Sequence, residues 1–446
     1  MMARTLALPQ RRTVDEWLVF SFWGYLLLVL FDAALRKWFL PFLSNPLLLA
    51  RDGWAFATCV YALWQSRFAT NWYVLLAAGV TLLGCAATMT LGHGSAAVML
   101  YGARIYLFHF PLIFIYARAM QTADLRRVNT MLMWTTIVST IVLVAQFYSP
   151  QSAWVNRGVG GNTEGSGFQG GALGFARPAG LFSFTSGNVQ FYGLVFACAI
   201  AGWLDGIKVR RGLLVAATAA CIIAIPVSIS RGYFVQCILT IVFALAAAAG
   251  RPKYIKSILL SGLAAVLLFS VLNLFPFFQQ ATEVLSVRFD KATVSEGGIE
   301  NTVLSRVFGE KINAFTDYWD LGFFGAGLGY STNVGAKVLT GDVQFLSAED
   351  EWGRTTSEVG VLLGSFIILL RTVFGVSLLL AGWQALRRSS PYTWVLMSVV
   401  FLTLFSGQLG NPTGLGFTVV MCAMALVGLR LPAPDAQPTT AAGRHY

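Results

Sequence analysis

What most constrains this chain is a succession of apolar runs, each close to the ~20 residues of helix needed to cross ~30 Å of hydrocarbon. They lie at Trp17–Leu35, Pro46–Trp64, Trp72–Leu91, Ala97–Arg118, Asn129–Ser149, Gly187–Leu204, Gly212–Ile229, Gly232–Ala249, Ile255–Phe275, Ser357–Leu380, Pro391–Gln408 and Thr413–Leu429. Backbone groups in hydrocarbon find no water, so such runs close their hydrogen bonds internally as helices. The predicted fold class is an all-α polytopic membrane protein with about twelve transmembrane helices. Composition agrees. Of the 446 residues 56% are hydrophobic and 11% charged, more apolar surface than one soluble core can hide.

Basic residues orient the runs, because short loops rich in Lys and Arg stay cytoplasmic while acids contribute little. Arg4, Arg11 and Arg12 precede the first run; Arg118, Arg126 and Arg127 follow the fourth; Lys208, Arg210 and Arg211 follow the sixth. Arg251, Lys253 and Lys256 follow the eighth, Arg387 and Arg388 the tenth, and Arg430 the last. With twelve crossings all fall on one side, which predicts cytoplasmic tails at 1–16 and 431–446. The first nine crossings then occupy 17–278 and the last three 357–430, with a glycine-rich loop at 150–186 and a large loop at 279–356 outside. The net charge of +11 is a topology signal and an attraction to anionic membrane lipids; no Lys/Arg stripe or nucleic-acid module suggests DNA or RNA. Cys59, Cys85, Cys198, Cys221, Cys237 and Cys422 all fall within runs and read as packing residues, so neither disulfide nor metal is expected. The first run has no small-residue cleavage site behind it and reads as an anchor, not a removed signal peptide.

Both outer loops have internal pattern. Val159–Gly171 is too rich in glycine to hold regular structure without a partner, which predicts a mobile flap. In the large loop Phe308, Ile312, Phe315 and Trp319 recur at helical spacing, predicting an amphipathic helix lying on the bundle or at the bilayer interface. Gly322, Gly325, Gly327 and Gly329 then predict a close-packed turn. No fixed-period repeat is visible.

Cations near the outer surface run against the charge bias and ask for a reason. Arg36 and Lys37 follow Asp32 by about a helical turn, and Arg51 adjoins Asp52, so these read first as pairs that fix helix ends. Arg231 closes an outer hairpin in Ser230-Arg231-Gly232 with no acid nearby; its planar fork suits a phosphate oxygen, and a snorkelling arginine is the competing reading. Arg177, before Pro178 and Gly180, can be held over the outer mouth of the bundle or be a loop-exposed spectator. Arg306 faces Glu310 one turn on as a surface pair. Glu349, Asp350 and Glu351 crowd beside Trp352 and Arg354; such crowding raises proton affinity, as a general base requires, while a solvated acidic turn before a helix is the alternative. Glu358 stands just inside the tenth run, where a carboxylate is either functional or buried and hydrogen-bonded. His93 lacks an orienting carboxylate, His109 reads as a satisfied packing residue, and Arg371 needs a partner across the bundle that the sequence does not name.

Several pieces, in order, carry a family resemblance: Arg177-Pro178-Ala179-Gly180-Leu181-Phe182, Ser228-Ile229-Ser230-Arg231-Gly232, Arg306 followed by Phe324-Gly325-Ala326-Gly327-Leu328-Gly329-Tyr330, and Glu358-Val359-Gly360. In these the chain resembles the O-antigen ligase and O-antigen polymerase superfamily of bacterial membrane glycosyltransferases, best over Arg177 to about Leu370. Each motif is short and degenerate; their order is the more specific signal. The resemblance implies a GT-C-like inner-membrane enzyme with its large loop between the ninth and tenth helices in the periplasm. It implies inverting, metal-independent transfer from an undecaprenyl-diphosphate-linked oligosaccharide to a polysaccharide or lipid-linked acceptor, without a cofactor and alongside other polysaccharide-assembly proteins. By position Arg177 and Arg231, with Arg306, would grip the donor diphosphate, and Arg354 and Glu358 would support the site. The family commonly has a histidine nine residues before the glutamate of the last motif; here Glu349 stands in that place. A carboxylate can take the same role, with Asp350 as the fallback.

The missing histidine leans the reading toward a polymerase over a ligase. A transporter or flippase of lipid-linked sugars is the reading of a different class. It would place ionisable residues at mid-membrane along a path, whereas here, Arg371 and His109 apart, they gather at the outer edge.

Overall fold

The computed structural model describes residues 2–162, 169–204, 206–250, 253–295, 310–318, 321–341, 350–388 and 390–432. Each of the twelve apolar runs is helical. In chain order the helices are α1 (Met2–Ala34), α2 (Ser44–Trp64), α3 (Trp72–Thr90), α4 (Ala96–Arg104), α5 (Phe110–Ala119), α6 (Thr122–Tyr148), α7 (Thr185–Trp203) and α8 (Arg211–Val227). They continue as α9 (Arg231–Gly250), α10 (Lys253–Leu272), α11 (Pro276–Ser295), α12 (Glu310–Thr316), α13 (Asn333–Thr340), α14 (Glu351–Arg388), α15 (Tyr392–Ser406) and α16 (Pro412–Gly428). Among the described residues seven stretches are long and apolar enough to cross a membrane, and three further apolar helices, α8, α15 and α16, are shorter. This is an all-α membrane protein.

Local chemistry sets several helix starts. Asn71 accepts from the Val74 N–H at 3.0 Å to cap α3, and Gln121 with Asp124 forms a reciprocal capping box on α6. Asn411 caps α16, with Pro412 in the first turn where its missing N–H costs nothing. Two π-helical turns interrupt the regular geometry, Leu35–Phe39 after α1 and Ile105–His109 between α4 and α5. The core is aromatic and aliphatic, with Phe22, Phe182, Phe191 and Phe417 fully buried. By contrast α10 leaves Leu259, Leu260, Leu263, Val266 and Leu267 exposed, as a helix facing lipid would.

Three expectations need correction. Part of the glycine-rich flap is ordered: β1 (Gln169–Ala172) and β2 (Phe175–Arg177) pair antiparallel. Leu173 (φ 51°) and Gly174 (φ 80°) form the tight turn between them, two consecutive left-handed residues being what a two-residue hairpin needs. The helix expected from Ser357 starts earlier, at Glu351, and its backbone breaks at Gly360 (φ 75°, ψ 168°), so that a short segment with its charges paired inward precedes the long apolar part. In the large loop α12 buries Lys311 and Ala314 and sets Phe315 edge-on to Trp352, but Ile312 is exposed; Phe308 and Trp319 lie outside the described residues.

The segments between helices contact one another in two sets. Lys37 reaches Gly180 and Phe182, His93 reaches Ala326, Tyr148 reaches Phe277, and Leu409 reaches Glu351. In the other set Arg67 pairs with Asp15, Ser257 bonds to Trp203, and Arg430 to Met120.

Candidate functional site

The residues singled out by sequence gather into two groups. In the first, Arg177 ends β2 and is held in place from several sides. Phe175 stacks on Phe147 with centroids 4.7 Å apart. Asn188 donates to the Pro178 carbonyl at 2.9 Å, and Gln146 accepts from the Gly180 N–H at 2.7 Å. The buried Lys37 ammonium donates to the carbonyls of Gly180 (2.8 Å) and Phe182 (3.1 Å). Gly180 has φ 59°, a conformation that favours glycine, and an added Cβ would press on Asn188. The segment Arg177–Phe182 is therefore built rather than loose.

Arg231 opens α9, where Ser230 Oγ accepts from the Tyr233 N–H at 3.3 Å. A third cation joins from α11. Arg288 Nη1 donates to the Gly170 carbonyl of β1 at 2.8 Å, while its neighbour Phe289 packs edge-on against Phe234 of α9 at 5.5 Å. Burial, then the charges of Arg288 and Arg231, push the Arg177 guanidinium down to about 10. It remains a cation at neutral pH. Three arginines from three separate elements thus lie within electrostatic reach of one another. A cleft of about 280 Å³ lined by Gln146, Phe147, Tyr148, Pro150, Phe175 and Pro178 includes residues next to Arg177 in the chain but none of the three arginines. Arg288 carried no motif in the sequence; its position on a charged helix between two loops was the available signal. Arg306 lies outside the described residues.

The second group surrounds the start of α14. Asp350 accepts from the N–H groups of Trp352 (2.9 Å) and Gly353 (3.0 Å), an N-cap geometry. Glu351 is turned inward and 1% exposed. It accepts from Arg354 Nε (3.0 Å) and Nη2 (2.8 Å), from Arg371 Nη1 (2.8 Å) and from the Leu409 N–H (2.9 Å). Arg354 also donates to Glu358 at 2.6 Å, and Arg371 to the carbonyls of Leu404 (2.9 Å) and Gly407 (2.8 Å). Arg371 therefore finds its partner on the short helical segment before the break at Gly360 (φ 75°, ψ 168°), which lets residues twenty apart in sequence meet. Glu349 lies outside the described residues.

The glycine turn docks on this network. Ala326 and Gly327 donate to the carbonyls of Ser357 (2.8 Å) and Glu358 (2.9 Å), and Leu328 N–H donates to Thr88 at 2.9 Å. Gly360 sits at φ 75°, and a Cβ there would overlap the Phe323 carbonyl oxygen. His93, which accepts from the Ser95 N–H and donates to the Leu328 carbonyl, is a fixed part of this turn. The segment from Gly407 to Thr413 joins the two groups. Its Leu409 N–H serves Glu351, and a Cβ on Gly187, beside Phe182, would stand 3.2 Å from Thr413. The described motif pieces thus fall into two groups, one around Arg177 and Arg231 and one around Gly325 and Glu358, with residues 407–413 between them.

Ionisable groups also occur deeper. Asp52 pairs with Arg104 and His109, each at 2.9 Å, rather than with its neighbour Arg51. His109 completes its bonding through the Tyr25 hydroxyl at 2.8 Å. The expectation that ionisable residues gather at the outer edge therefore holds less widely than the sequence suggested. Among the described residues no cluster of three or more His, Cys, Asp or Glu is placed to hold a metal ion. No family model matches the chain, and no curated protein or solved structure is detectably similar to it.

Proposed function

We propose that this protein is a polysaccharide polymerase of the bacterial inner membrane, transferring glycan from an undecaprenyl-diphosphate-linked donor to a sugar hydroxyl on the periplasmic face. The observation that carries the reading is the convergence of Arg177, Arg231 and Arg288 from three separate elements. Planar guanidinium groups bind diphosphate oxygens in bidentate fashion and stay charged at neutral pH. Alternating crossings are supported by the way several connections meet, while the assignment of both tails to the cytoplasm and of the arginine cluster to the outside rests on the bias of the basic residues.

In the proposed reaction an acceptor hydroxyl oxygen attacks the anomeric carbon from the face opposite the diphosphate. As the new C–O bond forms, the bond to diphosphate breaks and its electron pair leaves on the diphosphate oxygen, whose charge the arginines stabilise. The hydroxyl proton passes to a carboxylate, Glu349 in this assignment. Asp350 is the weaker candidate because its carboxylate already caps α14. Glu351, Arg354 and Glu358 hold the wall of the site and do not exchange protons. Ligase-type transfer to a lipid A-core acceptor would use the same donor side.

The test is transfer by the reconstituted protein, given a lipid-linked oligosaccharide. Arg231→Ala should lower turnover by about 10²-fold, the scale for removing one preorganised charge-stabilising donor. Polymer of normal length and rate from that variant would remove the basis of the reading. A transporter of lipid-linked sugars is the second reading, favoured by the buried Asp52–His109–Arg104 group. It predicts movement of the donor across vesicles without any glycosidic product.

A further inference from the structure

The interior of the bundle holds charge that the proposed reaction does not use. Arg36, Arg51 and Arg104 are 7%, 1% and 3% exposed, and they gather with Asp32 and Asp52 where α1, α2 and α4 meet. Asp52 is bonded to Arg104, and Asp32 lies 3.7 Å from Arg36. His109 donates to Asp52 and accepts from Tyr25, so it is satisfied as a neutral ring. Three guanidinium groups therefore face two carboxylates, and one positive charge is left over. Lys37, bonded to carbonyl oxygens alone, adds no negative charge to offset it.

The donors show where that charge is open. Among the described residues Nε and Nη2 of Arg51, and Nε and Nη2 of Arg104, are sealed from solvent and meet no acceptor. Cationic N–H groups buried without acceptors are strongly unfavourable. The unpartnered Asp32 Oδ1 in the same cluster cannot serve all four of these nitrogens, which calls for a further acceptor that is not part of the chain. The backbone is unusual at the same place. Both π-helical turns contribute to the cluster, Leu35–Phe39 through Arg36 and Ile105–His109 through His109, and such turns recur at functional sites. Gly416 of α16 makes room for the cluster: a Cβ there would come within 2.9 Å of Arg51 Nη1.

We propose that this cluster binds one small inorganic anion of halide size, held by the open N–H groups of Arg51 and Arg104. The leftover charge matches a monovalent ion. The sealed setting excludes a lipid phosphate, whose headgroup and chains would have to reach N–H groups that are closed off from solvent. The ion ties α1, α2 and α4 together by completing their shared charge, and it is independent of the arginine cluster proposed to hold the donor.

The experiment uses full-length protein purified in detergent, with unfolding followed by tryptophan fluorescence as chloride replaces gluconate at constant ionic strength. A saturable rise in Tm of about 2–4 °C is expected. Bromide should reproduce it, and Arg51→Gln should lose it. Equal Tm in chloride and gluconate, or the same rise in Arg51→Gln, would overturn the site. If the variant does not fold, retention of radiolabelled chloride by the native protein decides. About one exchangeable ion per chain supports the proposal; none, or stoichiometric phospholipid phosphorus in its place, overturns it.

Discussion

Neutralising Glu351 is the sharpest test of how the site's wall is built. Its carboxylate accepts four short hydrogen bonds, two from Arg354, one from Arg371 and one from the Leu409 N–H, at 2.8–3.0 Å. In Glu351→Gln the shape is kept and the charge removed. Arg354 retains Glu358, but Arg371 then faces only neutral acceptors, so two buried guanidinium groups are left with one carboxylate charge, and the new amide NH2 is set among donors. Breaking a buried pair from one side costs about 3–5 kcal/mol, roughly two to four orders of magnitude in the folded-to-unfolded ratio. Denaturant unfolding in detergent measures it, with Glu283→Gln, an exposed carboxylate, expected to change stability by less than about 0.5 kcal/mol. A cost below about 1 kcal/mol for Glu351→Gln would refute the structural role. A fully stable variant that no longer transfers glycan would make Glu351 a chemical participant instead.

Gly360→Ala should misfold or lose the docked glycine turn, because φ is 75° and a Cβ overlaps the Phe323 carbonyl; proteolysis between residues 322 and 330 reports it, and a normal digestion pattern would contradict the packing. The pH dependence of donor binding follows from Arg177, which sits near 10 because of burial and its two arginine neighbours. Below that value it is protonated whether folded or not, so its share of donor affinity is flat from about pH 6 to 9 and falls only above about 10. The same depression makes the unfolded chain hold the proton more tightly, so Arg177's contribution to stability rises with pH above about 10. A fall in affinity centred near neutrality would assign the grip to another group.

Hydropathy made the helices legible, because spans of fixed length leave little choice of structure. It failed where charged residues pair inward. The start of α14 could not be read at Glu351, since an acidic first turn looks the same whether solvated or buried against Arg371 twenty residues on. The pairing of Asp52 with Arg104 and His109 joins separate helices, and sequence adjacency pointed to Arg51 instead. The hairpin in the flap rests on Leu173 at positive φ, in a turn with no Asn-Gly or Asp-Gly to announce it. Arg177, Arg231 and Arg288 were all visible as cations against the charge bias, but that Arg288 joins the other two follows only from the packing of α11 on β1 and α9.

The central claim is that the converging arginines hold a diphosphate during glycan transfer. Its most direct test is binding of undecaprenyl diphosphate to the purified protein in nanodiscs, compared across Arg177→Gln, Arg231→Gln and Arg288→Gln. The account predicts saturable binding by the native protein, weakened about 10-fold or more in each variant while Tm stays within a few degrees. Equal affinity in all four proteins would contradict it.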